Sequence, residues 1–205
     1  MRSGRSLALG RGMTRLLERT RSQRGLSLME LLLVVAIMGI VGAMGTAQIA
    51  TVRRSMQGDG AMRLVMSQMN TAREMAVTQR RNMEVRFVGG VGGNWLQIVR
   101  REVPAGLTTV SSVAFEGNVT YRIISSIPSD TPDQFGKGSA LTFTGTGPYL
   151  FSTDGTLIDS LGNPANGTIF LAVANITRSQ RAVTIMGGTG RVRGFKWNGF
   201  GWTRV

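Results

Sequence analysis

Cysteine and histidine are both absent from the 205 residues. Without thiols there is no disulfide and no sulfur nucleophile, and without imidazole there is no histidine base. A zinc site of Cys/His type is excluded with them. Carboxylates are also scarce, 11 against 24 Lys plus Arg. A metal centre would have to be built from these few acids alone. The composition therefore predicts a non-enzymatic protein with no cofactor and no metal. Two local absences matter as much. Proline is missing between residues 26 and 103, and no acid follows Asp159.

The formal net charge is +13, which points to an anionic partner such as a membrane surface or nucleic acid. Its distribution is uneven. Arg2, Arg5, Arg11, Arg15, Arg19, Arg21 and Arg24, set against Glu18, put +6 on the first 25 residues. Arg178, Arg181, Arg191, Arg193, Lys196 and Arg204 place another +6 beyond Asp159. Each end needs its own explanation.

From Leu31 to Gly45 no side chain is polar. The segment 26–50 contains one charge, Glu30, and is long enough for a hydrocarbon core of about 30 Å, which takes about 20 residues. With a basic block ahead of it, the positive-inside rule puts the amino terminus in the cytoplasm and the rest beyond the membrane. A secretory signal peptide cut near 43–47 and a plain signal anchor share this order. Neither accounts for Glu30. A carboxylate inside an apolar run costs about 2.5–3.5 kcal/mol on insertion scales and calls for a cationic partner. A new amino terminus made by cleavage after Gly25, on a neighbouring subunit, would be such a cation.

The run Arg24-Gly25-Leu26-Ser27-Leu28-Met29-Glu30 resembles the signature of the type IV pilin-like family, which includes pilus subunits and the pseudopilins of type II secretion. The resemblance implies that residues 1–25 are a leader removed by a prepilin peptidase and that Leu26 becomes an N-methylated terminus. It also implies that Glu30 registers incoming subunits in a filament. The first mature residue is Leu26 where Phe is usual, and the long leader leaves Met1 or Met13 as the start. The implied partners are the inner membrane, the peptidase and other pilin subunits.

The helical pattern continues past the apolar run. Met62, Val65, Met69, Ala72 and Ala76 recur at three- and four-residue steps, opposite Arg63, Asn70, Arg73, Glu74 and Arg81. A helix from Leu26 to about Gln79 is expected. Gly58-Asp59-Gly60 should loosen or kink it, at about 1 kcal/mol per glycine relative to alanine. Gly39, Gly42 and Gly45, three apart, either permit close helix packing or simply weaken the helix.

After Arg81 the period changes to alternation. Strands are expected at 83–88, 95–100, 119–124, 141–143, 149–151, 168–174, 181–186 and 191–196, separated by Gly-, Pro-, Asn- and Asp-rich turns. The expected fold is α+β and pilin-like. A long N-terminal helix, membrane-spanning over 26–50 and amphipathic over 51–81, packs on a mostly antiparallel sheet domain at 82–205, placed in the periplasm.

Within that domain, Phe151-Ser152-Thr153-Asp154-Gly155, then 166–171, 181–185 and Gly190-Arg191-Val192-Arg193, resemble in order the GspH/FimT branch of the family, of minor pseudopilins and minor pilins. The missing cysteine pair of many major pilins agrees with a minor subunit. Alternation along a strand puts Arg191, Arg193, Phe195 and Trp197 on one face and Val192, Gly194 and Lys196 on the other. Guanidiniums beside rings suit phosphate contact with base stacking. The FimT resemblance implies DNA binding during uptake through Arg191 and Arg193, with Lys196, Trp197 and Arg204 nearby and no acid opposing them. The competing reading is an edge strand whose arginines are merely solvated.

Three weaker motifs are read as structural. Gly187-Gly188-Thr189-Gly190 lacks the Lys-Ser/Thr of a phosphate loop and reads as a hairpin turn. Asp154 and Asp159 read as turn formers, and Met62, Met66, Met69 and Met75 as adaptable packing. Two function classes result: a structural pilin or pseudopilin subunit, and the same architecture used as a DNA receptor.

Overall fold

The computed structural model describes residues 27–205 apart from 91–92 and 136–137, and leaves the side chains of 45–48, 50, 90 and 93 outside the description. The leader, Gly25 and Leu26 lie outside it as well. Contacts divide the chain into two units, Met1–Ala43 and Met44–Val205.

One helix, α1 (Leu28–Gln79), begins in the first unit and ends in the second. Ser27 precedes it, and its carbonyl accepts from Glu30 N (2.9 Å) and Leu31 N (3.0 Å), so Glu30 sits in the first turn. A carboxylate there favours the positive end of the helix dipole. Every described side chain from Ser27 to Met44 is exposed, although nearly all are apolar. A Cβ on Gly39 or Gly42 would meet nothing within 4 Å. Among the described residues no helix is both long and apolar enough to cross a membrane.

In the second unit the predicted stripe is the buried one. Met62, Val65, Met69, Ala72 and Ala76 are each at most 1% exposed. α1 runs through Gly58-Asp59-Gly60 without interruption. The chain leaves α1 through Arg80 in the left-handed region (φ 51°), with Arg81 N donating to Ala76 O.

Two antiparallel sheets pack on this stripe. The first has the order β3-β2-β1-β6-β7, from β1 (Met83–Gly90), β2 (Gly93–Arg101), β3 (Leu107–Ala114), β6 (Tyr149–Phe151) and β7 (Leu157–Ile158). The second has the order β11-β10-β9-β8-β4, from β4 (Val119–Tyr121), β8 (Gly167–Val173), β9 (Arg181–Met186), β10 (Arg191–Trp197) and β11 (Trp202–Arg204). The short β5 (Leu141–Phe143) shares with β4 the same edge of β8. Met83, Val85, Leu96, Ile98 and Phe151 line the helix side of the first sheet, and Ile169, Leu171, Val183 and Ile185 that of the second. Each such side chain contributes about 1.5–3 kcal/mol by leaving water.

β3 was not expected, because its serines and threonines sit on a largely exposed edge with no apolar alternation. The strand expected at 119–124 stops at Tyr121 for a specific reason. The buried Gln180 side chain takes over the ladder, accepting from Ile124 N (3.0 Å) and donating to Arg122 O (3.0 Å). From there residues 122–134 cross the second sheet on the face away from α1. Ile123, Ile124 and Ile127 cover Phe170, Ala172, Ala182 and Phe195. All seven residues of β8 are consequently buried.

Candidate functional site

Glycine geometry explains how the Gly190–Arg193 element is shaped. Gly187–Thr189 form a 3-10 turn and Gly190 follows at φ 62°. A Cβ on Gly190 would lie 2.1 Å from Gly155 O, so only glycine fits. This is the predicted hairpin turn between β9 and β10. The Gly155 carbonyl also accepts from Arg73 Nε of α1 (3.2 Å). Asp154 closes the turn between β6 and β7, to which Gly155 belongs. Hydrogen bonds from Ser152 Oγ, from Thr156 N (3.0 Å) and from Thr156 Oγ1 (2.7 Å) bring its carboxyl down to about 2. Asp159 accepts from Leu161 N and Asn163 N (2.9 and 2.8 Å), so both aspartates are turn formers as expected.

The alternation along β10 is as predicted, but the face bearing the arginines is not an open platform. Arg193 Nη1 pairs with Asp133 Oδ1, while Thr184 Oγ1 donates to Asp133 Oδ2 (2.6 Å). Arg193 and Thr184 are register partners on β10 and β9, so Asp133 spans the ladder and pins the covering segment to it. Phe195 is 2% exposed. Trp197 meets Trp202 edge-on (5.5 Å, 67°), both pack against Ile124 and Ile127, and Trp202 Nε1 donates to Pro128 O (3.0 Å). On the other face Lys196 Nζ lies 3.9 Å from Asp59 Oδ2. The expectation that no acid opposes these cations is therefore corrected. The acids come from residues 59 and 133, distant in sequence but adjacent in the fold. Of the five candidate nucleic-acid residues, only Arg191 and Arg204 are exposed.

The strongest polar site was not anticipated. Arg181 has a side chain 0% exposed and uses all five donors. Nε reaches Asp59 Oδ1 (2.6 Å), Nη1 reaches the carbonyls of Arg178 (2.8 Å) and Gln180 (2.9 Å), and Nη2 reaches Ser55 O (3.1 Å) and Oγ (3.0 Å). Burial alone would raise the Asp59 carboxyl, but the hydrogen bond and charge of Arg181 outweigh it and hold Asp59 below the usual range. Gly58 makes the approach possible. A Cβ there would stand 2.5 Å from Ser179 O. An aspartate between two helical glycines, with an arginine opening a largely apolar strand, was the signal available in the sequence.

A buried acid, Glu84, sits on the outer face of β1. Arg86 Nε lies 2.6 Å from Oε1 and Arg101 Nη2 3.0 Å from Oε2. Burial pushes its carboxyl up, and the two arginines more than offset this, leaving it lowered. Among the described residues no group of His, Cys, Asp or Glu has the arrangement of a metal site. What these contacts do is structural: those of Arg181 fix the second sheet against α1, while those of Glu84 and Asp133 join strands and loop on the outer faces.

Comparison with known proteins places one signature on this chain. Residues 20–46 match the prokaryotic N-terminal methylation motif, a span containing Gly25, Leu26 and Glu30. The resemblance read from Arg24 to Glu30 is borne out over that span. No curated protein sequence matches the chain. Among solved structures, the minor pseudopilin EpsH from the type 2 secretion system of Vibrio cholerae is similar over 68% of this chain and 97% of its own, at 11% identity and a TM-score of 0.46.

Proposed function

We propose that this chain is a structural subunit of a type IV pilin-like filament, a minor pseudopilin or minor pilin of a type II secretion or type IV pilus system. The observation that carries this reading is the match to the methylation motif over residues 20–46, a span that includes Gly25, Leu26 and Glu30. A prepilin peptidase removes residues 1–25 and leaves Leu26 as an N-methylated terminus. The segment 26–50 holds the subunit in the inner membrane, with the amino terminus cytoplasmic and residues 82–205 periplasmic. An α-helix that is apolar on every side needs lipid or other helices around it, and the exposed side chains of Leu28–Met44 are in that position. Glu30 then pairs with the Leu26 amine of a neighbouring subunit.

The test is the mature amino terminus. Intact mass and terminal sequencing from cells with a prepilin peptidase should give a chain beginning at methylated Leu26. Gly25→Val should leave the leader attached, and a variant that still runs at mature size would end the assignment. The DNA-receptor reading is not carried further, because Arg193, Phe195 and Trp197 are engaged within the fold.

A further inference from the structure

Phe200 is 97% exposed at the tip of the β10–β11 hairpin, more than any other large apolar side chain among the described residues. It is not loosely held. Asn198 Oδ1 accepts from Phe200 N (2.9 Å) and Gly201 N (2.8 Å), fixing the turn that presents it. Across a groove from Phe200 lie Thr51, Val52 and Met56 of α1, with Arg178 at the rim. Val52 is 57% and Met56 67% exposed. On the adjoining side of the helix, Arg53 and Arg54 border a second cleft together with Ile49, which is 68% exposed. Arg53, Arg54 and Arg178 are all exposed, and among the described residues none has a carboxylate within ion-pair distance. Glu116 shares a third cleft with Arg53 without pairing to it.

We infer that Phe200, with Arg53, Arg54 and Arg178, forms a membrane-surface collar, in which the phenyl ring enters the headgroup–acyl boundary and the three guanidiniums bind anionic phospholipid phosphates. The inference rests on the membrane-anchored reading above. Its own support is the mixture of residues. Cations interleaved with exposed apolar side chains match a bilayer interface, and the patch follows in sequence on the segment 26–50. A single-stranded nucleic-acid platform stacks successive bases on several rings, whereas here Trp197 and Trp202 are packed inward and leave Phe200 as a lone ring beside the cations. Each basic residue close to an anionic leaflet is expected to raise surface partitioning about fivefold. Before assembly the collar holds the domain against the membrane. Extraction into a filament strips it from the lipid.

The absence of cysteine makes the test direct. Full-length Phe200→Cys, labelled with a polarity-sensitive fluorophore, is reconstituted into phosphatidylcholine bilayers with or without phosphatidylglycerol. Leu161→Cys serves as the control, since Leu161 is 79% exposed in the turn after β7. The Phe200 label should shift to the blue in the anionic bilayers only. Salt should reverse the shift, and Arg53→Gln/Arg54→Gln/Arg178→Gln should abolish it, while the Leu161 label stays unchanged. Hydrogen exchange of the unlabelled chain should show 197–202 protected under the same conditions. Equal spectra in both bilayers, an equal response at Leu161, or a response to duplex DNA in place of lipid would each overturn the collar and leave the membrane anchor standing. Release of the unlabelled chain from bilayers by alkaline wash would instead remove the anchor, and the collar with it.

Discussion

Arg181 Nε stands 2.6 Å from Asp59 Oδ1, and that contact joins β9 of the second sheet to the helix across 122 residues of sequence. The guanidinium is fully buried and the carboxylate about one-third exposed. Such a pair is costly to break from one side, because the remaining charge keeps its burial and loses its compensation.

Asp59→Ala should therefore destabilise the domain by about 3 kcal/mol, the lower end of the range for buried pairs, since Asp59 retains some water. Replacing both residues with apolar ones should cost less than the single change. Urea unfolding of the full chain in detergent micelles measures both. A loss under about 1 kcal/mol for Asp59→Ala would show that the pair is only accompanying the packing.

Gly58 and Gly60 are predicted to respond in opposite directions to alanine. At Gly58 the new Cβ would press on the Ser179 carbonyl, and overpacking of this kind costs about 1–3 kcal/mol. At Gly60 nothing lies within 4 Å, so alanine should stabilise by about 0.5–1 kcal/mol through helix propensity. Thermal melts of the two variants should move apart in sign.

Acid sensitivity is confined to low pH. Asp59, Glu84 and Asp154 all have lowered carboxyl values. A lowered carboxyl contributes stability that is complete above its unfolded value of about 4 and is lost as pH falls through the folded value. Stability should be flat from pH 5 to 8, where no histidine titrates, and should drop below about pH 4. Glu84→Gln should flatten the falling limb as well as lower the plateau. A transition centred near pH 6 would contradict this.

Arg193 and Arg191 should separate. Arg193→Gln leaves the mostly covered Asp133 without its cation and should loosen residues 122–134, visible as faster hydrogen exchange there and a lower melting temperature. Arg191→Gln, on an exposed side chain, should change stability by less than about 0.5 kcal/mol.

Periodicity made much of this architecture legible. Met62, Val65, Met69, Ala72 and Ala76 announced the buried stripe, and most β-strands announced themselves by alternation. What stayed hidden was long-range pairing. Nothing in the local pattern said that Asp133 would return to Arg193, that Asp59 would meet Arg181, or that Gln180 would finish a strand edge. β3 lay hidden because an exposed edge strand has no apolar face to betray it. The face bearing Arg193 and Trp197 was correctly phased but wrongly imagined as bare. Pattern gives orientation, whereas cover comes from segments with no pattern of their own.

The five hydrogen bonds around Arg181 also bear on where and when the domain can be finished. A chain without cysteine has no covalent bond to close and no oxidising enzyme to await. A span of 126 residues is closed by a contact that forms as soon as β9 meets Ser55 and Asp59. Completion is then governed by the order of strand docking and is indifferent to the redox state of its surroundings. A reductant that unfolds disulfide-closed domains should leave this one intact.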